Sequence, residues 1–133
     1  MRTDTQSVTI AAPADRTFEF LADPANLPRW AIGFARRVRR DGDGWIVETG
    51  QGEMPIRFET DPRLGVIDFH ITVAPGTEVA ARSRVLPLGE GAEYLFTQHQ
   101  NGGMPDEAFD AQVRALSHEL GALKALLEGE CPL

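Results

Sequence analysis

Cysteine is all but missing from this sequence. One residue, Cys131 near the C-terminus, allows no internal disulfide, so a small disulfide-stapled framework is excluded and a reducing, cytoplasmic setting is expected. That lone thiol is also set aside as a catalytic nucleophile. Long apolar runs are absent as well. No stretch approaches the ~18 apolar residues of a membrane span, and Met1 to Ile10 carries Asp4, Thr5, Gln6 and Ser7 where a signal peptide needs an apolar core. The expectation is a soluble, unexported chain without stable membrane insertion. Positive charge is scarce: 13 Lys and Arg stand against 20 Asp and Glu, a net charge of −7, so the surface repels phosphate backbones and no nucleic-acid partner is expected. Metal-binding histidine patterns are missing too. His70, His99 and His118 have no spacing resembling HExxH or another two-histidine site, so no metal and no cofactor is expected.

What is present suffices for one domain over residues 1–133. An apolar fraction of 42% and a charged fraction of 25% suit a chain that buries a single core without staples. Ser7 to Ala11 alternates, with Val8 and Ile10 on one side, as a half-buried strand does. Pro13 fits the first turn of a short helix carrying Thr17, Phe18, Phe20 and Leu21, which Asp23-Pro24 stops. Pro24 and Pro28 then permit only a second short helix or turn up to Trp30. Six strands are expected next: Phe34 to Arg40, Trp45 to Gly50, Met54 to Thr60, Val66 to Val73, Glu78 to Leu86 and Glu93 to Gln100. Gly- and Pro-bearing joins such as Asp41-Gly42-Asp43-Gly44, Pro75-Gly76 and Gly89-Glu90-Gly91 supply the tight reversals between them. Met104 to Glu128 reads as one amphipathic helix, because Phe109, Val113, Leu116, Leu120, Leu123 and Leu127 recur at steps of three and four. Consecutive hairpins make an antiparallel sheet, and the helix can bury its stripe only against one face of it. The expected class is α+β, a helix-grip architecture of seven strands, two short helices after strand 1 and a long C-terminal helix.

The opening Val8-Thr9-Ile10-Ala11-Ala12-Pro13, followed by Phe18, Leu21, Asp23-Pro24-Ala25-Asn26-Leu27-Pro28 and Trp30, resembles the first strand and helix pair of the SRPBCC superfamily. This is the START-like or birch-pollen-allergen fold, whose branches include polyketide cyclase/dehydrase and lipid-transport proteins. Phe96-Thr97 at the last strand and Ala122 to Glu128 in the helix are similar to the family's closing elements. The resemblance implies a seven-stranded sheet curved around the C-terminal helix, with a largely apolar cavity between them. Lipid carriers, hormone receptors, quinone-binding proteins and aromatase/cyclases share this fold without a universal catalytic residue. It therefore implies a binding shell and leaves the activity open.

Alternation assigns the faces. Ile67, Phe69, Ile71 and Val73 point inward, as do Met54, Ile56 and Phe58, which leaves Asp68 and His70 on the solvent side. Asp68 and His70 can pair as acid and orienter, although any exposed strand face offers the same spacing. On the last strand Tyr94, Phe96 and Gln98 turn inward and His99 outward, and His118 sits off the helix stripe. No catalytic residue is assigned. The inward polar side chains Thr49, Ser83, Tyr94 and Gln98 either satisfy one another or await a polar ligand group. Small Ala81 and Ser83, set opposite Gly121 and Ala122, leave ligand space or allow close packing of helix on sheet. Trp30 and Phe34, where the resemblance puts the cavity mouth, serve as core or as a lid on a flat ligand. The run Arg36-Arg37-Val38-Arg39-Arg40 splits its charges over two faces and suits a solvated edge strand, with Arg36 left as a clamp for an acidic ligand.

Three functional readings follow. In the first, a small hydrophobic molecule such as a lipid, polyketide or isoprenoid is buried by Phe58, Phe69, Ile71, Phe96, Phe109, Val113 and Leu116, at about 25 cal/mol per Å². Tyr94, Gln98 and Arg36 then orient its polar end, with Ser83, Trp30 and Phe34 in the same ligand-binding set. In the second, a cyclase or dehydrase folds a polyketide-like chain in the same cavity, while Tyr94 or Arg36 polarises a carbonyl. In the third, the interior is fully packed and the domain works through a sheet edge, with a homodimer as one use of that edge.

Overall fold

The computed structural model describes residues 1–130, so Cys131 lies outside the described residues. β1 (Thr3–Ile10) leads into α1 (Ala14–Ala22), a 3-10 turn at Pro24–Asn26 and α2 (Leu27–Trp30). The meander follows as β2 (Arg37–Asp41), β3 (Gly44–Thr49), β4 (Gly52–Asp61), β5 (Val66–Ala74), β6 (Thr77–Leu88) and β7 (Gly91–His99), and α3 (Asp106–Glu130) closes the chain. The seven strands run in the order β1-β7-β6-β5-β4-β3-β2. Since β1 and β2 are the two edges, the α1–α2 segment must carry the chain from one edge of the curved sheet to the other.

Cross-strand register puts one set of side chains on the concave side. Val8 faces Tyr94, Ser83 faces Phe96, Val85 faces Tyr94, and Phe58 faces Phe69 across antiparallel pairs. Leu116, Leu120, Leu123 and Leu127 are all buried, as the spacing of the helical stripe requires. They join Ile10, Leu21, Leu27, Trp30 and Tyr94 in the core. Helix α3 packs mainly on β1 and α2. In the opposite half, the concave Val38, Trp45, Met54, Phe58 and Ile71 are half-buried, while Val47 and Ile56 beside them are buried.

The structure departs from the sequence pattern in four places. β2 starts at Arg37 rather than Phe34, because residues 31–35 make a turn in which the N–H groups of Phe34 and Ala35 donate to the Ala31 carbonyl at 3.0 and 2.8 Å. α3 starts at Asp106 rather than Met104, because the Pro105 carbonyl takes the first helical N–H groups, those of Ala108 and Phe109, both at 3.1 Å. β1 begins at Thr3 although its first residues are polar. Its inward Asp4 and Gln6 bond to each other at 2.7 Å, and Gln6 Nε2 also donates to the Val113 carbonyl at 3.0 Å, which satisfies both without an apolar alternation. Gly121 does not face Ala81 and Ser83. It is exposed, with nothing near its missing Cβ, since it follows Leu120 by about 100° around the helix.

Two helix substitutions separate packing from propensity. Leu123→Ala removes a side chain that is 0% exposed and is expected to lower unfolding free energy by about 2–5 kcal/mol in urea titrations. Gly121→Ala adds a methyl group in open space within the helix and is expected to raise it by about 0.5–1 kcal/mol.

Candidate functional site

An aromatic cluster occupies the concave side where β7 meets α2. Trp30 ends α2 and sets its ring edge-on to Tyr94 at 6.1 Å and to Phe96 at 6.4 Å between centroids. Phe96 lies 5.7 Å from Phe69, which meets Phe58 edge-on at 4.7 Å. These are favourable offset and T-shaped geometries. Trp30, Phe69 and Tyr94 are buried, whereas Phe58, Phe96 and Ile71 are half-buried. The cluster thus forms an apolar wall that is covered at one end and part-open at the other.

The covered end holds three polar side chains, Tyr94, Ser83 and Glu119. The Tyr94 hydroxyl is fully buried and has no hydrogen-bond partner among the described residues. Ser83 beside it gives its own proton to the Ile67 carbonyl across the β5–β6 pair. Burial drives the Tyr94 phenol well above its ordinary range, Ser83 opposes this, and the nearby Glu119 charge pushes it further up. Glu119 stands on α3 between Leu116 and Leu120 and is only 8% exposed. Its Oε2 accepts the Gly33 N–H at 3.0 Å. Burial raises its carboxyl from 4.5 to about 7, the N–H groups of Gly33 and Phe34 pulling the other way, and no basic side chain among the described residues contributes.

Glu119 lies outside the leucine stripe, and sequence reasoning missed it. Its spacing of three from Leu116 and four from Leu123 was the available signal. The segment 31–36 is what buries it. A Cβ on Gly33 would sit 3.3 Å from Ala115 Cβ and 3.4 Å from Glu119 Oε2, so this bare backbone lies close against α3. Phe34 follows it, half-buried against the core.

The remaining residues singled out from sequence lie elsewhere. Arg36 is exposed, its guanidinium close to Gly50 rather than over the aromatic wall. Gln98 Nε2 donates to Asp4 at 3.1 Å and to the Gln112 carbonyl at 3.3 Å, tying β7 to β1 and α3. Phe109 is buried beneath the Arg2 guanidinium, 4.9 Å above its ring, and Val113 is half-buried farther along that face. Leu116 is the helix residue of this set that joins the main core.

On the convex side, His70 points away from the core as alternation requires, yet its side chain is only 10% exposed. Glu59 at 2.9 Å and Glu78 at 3.4 Å bracket the ring. Candidate ligand atoms of Glu59, Asp68 and His70 fall within 4.8 Å of one another. Asp68 also holds Arg82 at 2.8 Å, and Glu78 holds Arg57 at 3.5 Å. Two shallow depressions, of about 260 and 360 Å³, are lined chiefly by this outer face, one beside His70 and Arg57 and the other beside Arg82, Arg84 and Leu95. No described helix is long and apolar enough to cross a membrane.

A family model described as polyketide cyclase/dehydrase and lipid transport matches residues 1–128. The chain belongs to this family. No curated protein matches the sequence. Similar solved structures of the polyketide cyclase/dehydrase and lipid transport fold include the di-domain ARO/CYC BexL of the BE-7585A biosynthetic pathway, 24% identical with a TM-score of 0.72 over 94% of this chain. The chain covers 46% of BexL, about half its length. The Zhui aromatase/cyclase from Streptomyces sp. R1128 is 24% identical with a TM-score of 0.72, over 96% of this chain and 93% of its own. A START superfamily protein from Mycobacterium smegmatis is 14% identical with a TM-score of 0.69, over 97% of this chain and 99% of its own. At these identities the likeness is one of fold.

The buried carboxyl gives a pH-dependent stability. The folded protein holds the Glu119 proton up to about pH 7, whereas the ordinary carboxyl releases it near 4.5. The contribution of this group is therefore complete below about pH 4.5 and is lost as pH rises through about 7. Glu119→Gln, which keeps shape and an acceptor oxygen, is expected to gain stability relative to the parent as pH rises from 5 to 8. Urea midpoints of both proteins at the two pH values check this. A stability difference that does not vary with pH would contradict it.

Proposed function

We propose that this member of the family binds a small hydrophobic molecule along the concave aromatic wall, between the sheet and α3. One observation carries the reading: Trp45, Met54, Phe58, Ile71 and Phe96 keep part of their apolar surface uncovered on the side that a folded core would bury. Covering that surface with a flat or extended apolar ligand gains about 25 cal/mol per Å². Trp30 and Phe69 back the wall with rigid rings, and Phe34 stands at its rim. Tyr94 and Ser83 lie at the covered end and suit the polar end of the ligand. Gln98 and Arg36 have other neighbours and are given no part in it.

A cyclase or dehydrase-type reaction on a ligand held in the same place is the second reading, and Glu119 favours it. A carboxyl that titrates near neutrality is suited to take and return a proton. Tyr94 is suited to donate to a carbonyl oxygen.

Native mass spectrometry of freshly purified protein is expected to reveal a retained apolar ligand, and Phe58→Asp, which charges the part-open wall, is expected to lose it. Parent protein that stays ligand-free after exposure to a crude lipid and polyketide extract would remove the proposal. Tyr94→Phe separates the two readings: under binding alone it changes affinity modestly, and under catalysis it abolishes turnover of a polyketide-like chain.

A further inference from the structure

We propose that Glu59, Asp68 and His70, on the convex face of the β4–β5 pair, form a binding site for a divalent transition metal of the zinc class, and that Glu78 orients the imidazole. The site is separate from the concave wall and does not depend on it. Strand register assembles it. Glu59 lies directly across from Asp68, and His70 follows Asp68 at the next position on the same face of β5. Glu78 on β6 pairs with Thr72, which sets it diagonal to His70. His70 Nε2 is 2.9 Å from Glu59 Oε1, and the ligand atoms of the three side chains lie within 4.8 Å of one another. Ligand atoms around one zinc ion, each bonded at about 2.0–2.2 Å, sit about 3–3.5 Å apart. Glu59 is the member free to adjust, since its side chain is 63% exposed, whereas those of His70 and Asp68 are 10% and 14% exposed.

The surroundings of the ring point the same way. A neutral imidazole has one N–H donor and one lone pair. Glu78 Oε1 lies 3.4 Å from Nδ1, placed to take its proton, and Arg57 holds the same oxygen at 3.5 Å. A proton kept on Nδ1 leaves the Nε2 lone pair facing the Glu59 carboxylate at 2.9 Å, and a metal bonded to both atoms removes that repulsion. A carboxylate on the far nitrogen is also what fixes the tautomer and ring orientation of metal-bound histidines. Asp68 accepts from Arg82 at 2.8 Å, and a carboxylate has about four lone-pair sites, so that bond leaves it able to ligate.

The ligand types select the metal. One imidazole nitrogen with two carboxylates suits zinc and its neighbours, whereas magnesium and calcium prefer shells made of oxygen alone. Three protein ligands leave a fourth position open, and His70 and Arg57 border a depression of about 260 Å³ with room there for water or a small anion. Spacing along the chain did not reveal the site, because Glu59 and His70 are 11 residues apart on different strands.

Equilibrium dialysis of the metal-stripped full chain against zinc chloride, near neutral pH, tests this. One zinc ion per chain is expected, with magnesium held far more weakly. His70→Ala and Glu59→Gln are each expected to weaken zinc binding by about ten-fold or more, and Glu78→Gln by about ten-fold. Cys131→Ser is expected to leave it unchanged. With cobalt in place of zinc, the visible absorption of the bound ion is expected to shift in Glu78→Gln, since the imidazole becomes a weaker ligand. Parent protein that retains no zinc, His70→Ala that binds as tightly as the parent, or zinc lost on Cys131→Ser overturns the site. Should His70→Ala not fold, Glu59→Gln, which alters an exposed side chain, decides by the same comparison. Magnesium held as tightly as zinc overturns the metal class, and a Glu78→Gln protein with unchanged affinity and unchanged cobalt absorption overturns the orienting role.

Discussion

Helix α3 carries a single narrow apolar stripe, and the concave face it must cover is wider than that stripe. Leu116, Leu120, Leu123 and Leu127 are spent on β1, α2 and the rings around Tyr94, which closes one end of the interior. At the other end, Val38, Trp45, Met54, Phe58 and Ile71 stay half-buried, while Val47, Ile56, Ile67 and Phe69 among them are buried. The crossing of α1 and α2 from edge to edge follows from the same geometry, since β1 and β2 lie at opposite edges and the chain must pass over the sheet to join them. The sheet therefore has one half packed against α3 and another in which buried and half-buried apolar side chains alternate.

Glu119 and the convex ion pairs mark two ways of handling charge. On the outside, Asp68 with Arg82 and Glu78 with Arg57 are matched near water, where each pair contributes little to stability. Inside, Glu119 accepts the Gly33 N–H, no basic side chain among the described residues shifts its titration, and burial penalises its ionised form. A carboxyl retained there lowers stability as pH rises through about 7.

Family membership narrows the field without closing it. Its description spans cyclases, dehydrases and lipid transport, which differ in what the ligand is and whether it reacts. The fold supplies a curved sheet and a helix to close it, while the side chains on the wall and at its covered end decide between holding and transforming. Here the wall is aromatic, built from Trp30, Phe58, Phe69, Tyr94 and Phe96.

Strand alternation, glycine-bearing turns and the leucine stripe were legible in the chain, because each depends on neighbours a few residues apart. The faces of Phe58, Phe69, Tyr94 and Phe96 followed from period two alone. Gln98 was read correctly as inward, but its pairing with Asp4 and the Gln112 carbonyl was not legible, because those partners come from β1 and α3. The turn at 31–35, which delays β2, was likewise hidden, since the alternating Phe34, Arg36 and Val38 imitate a strand. Sequence by itself determined the order of elements, the antiparallel sheet and the residues that line its inner side. Only the tertiary structure decided that Glu119 is buried, because the backbone that covers it comes from Gly33, 86 residues away, and no local pattern encodes a contact across that separation.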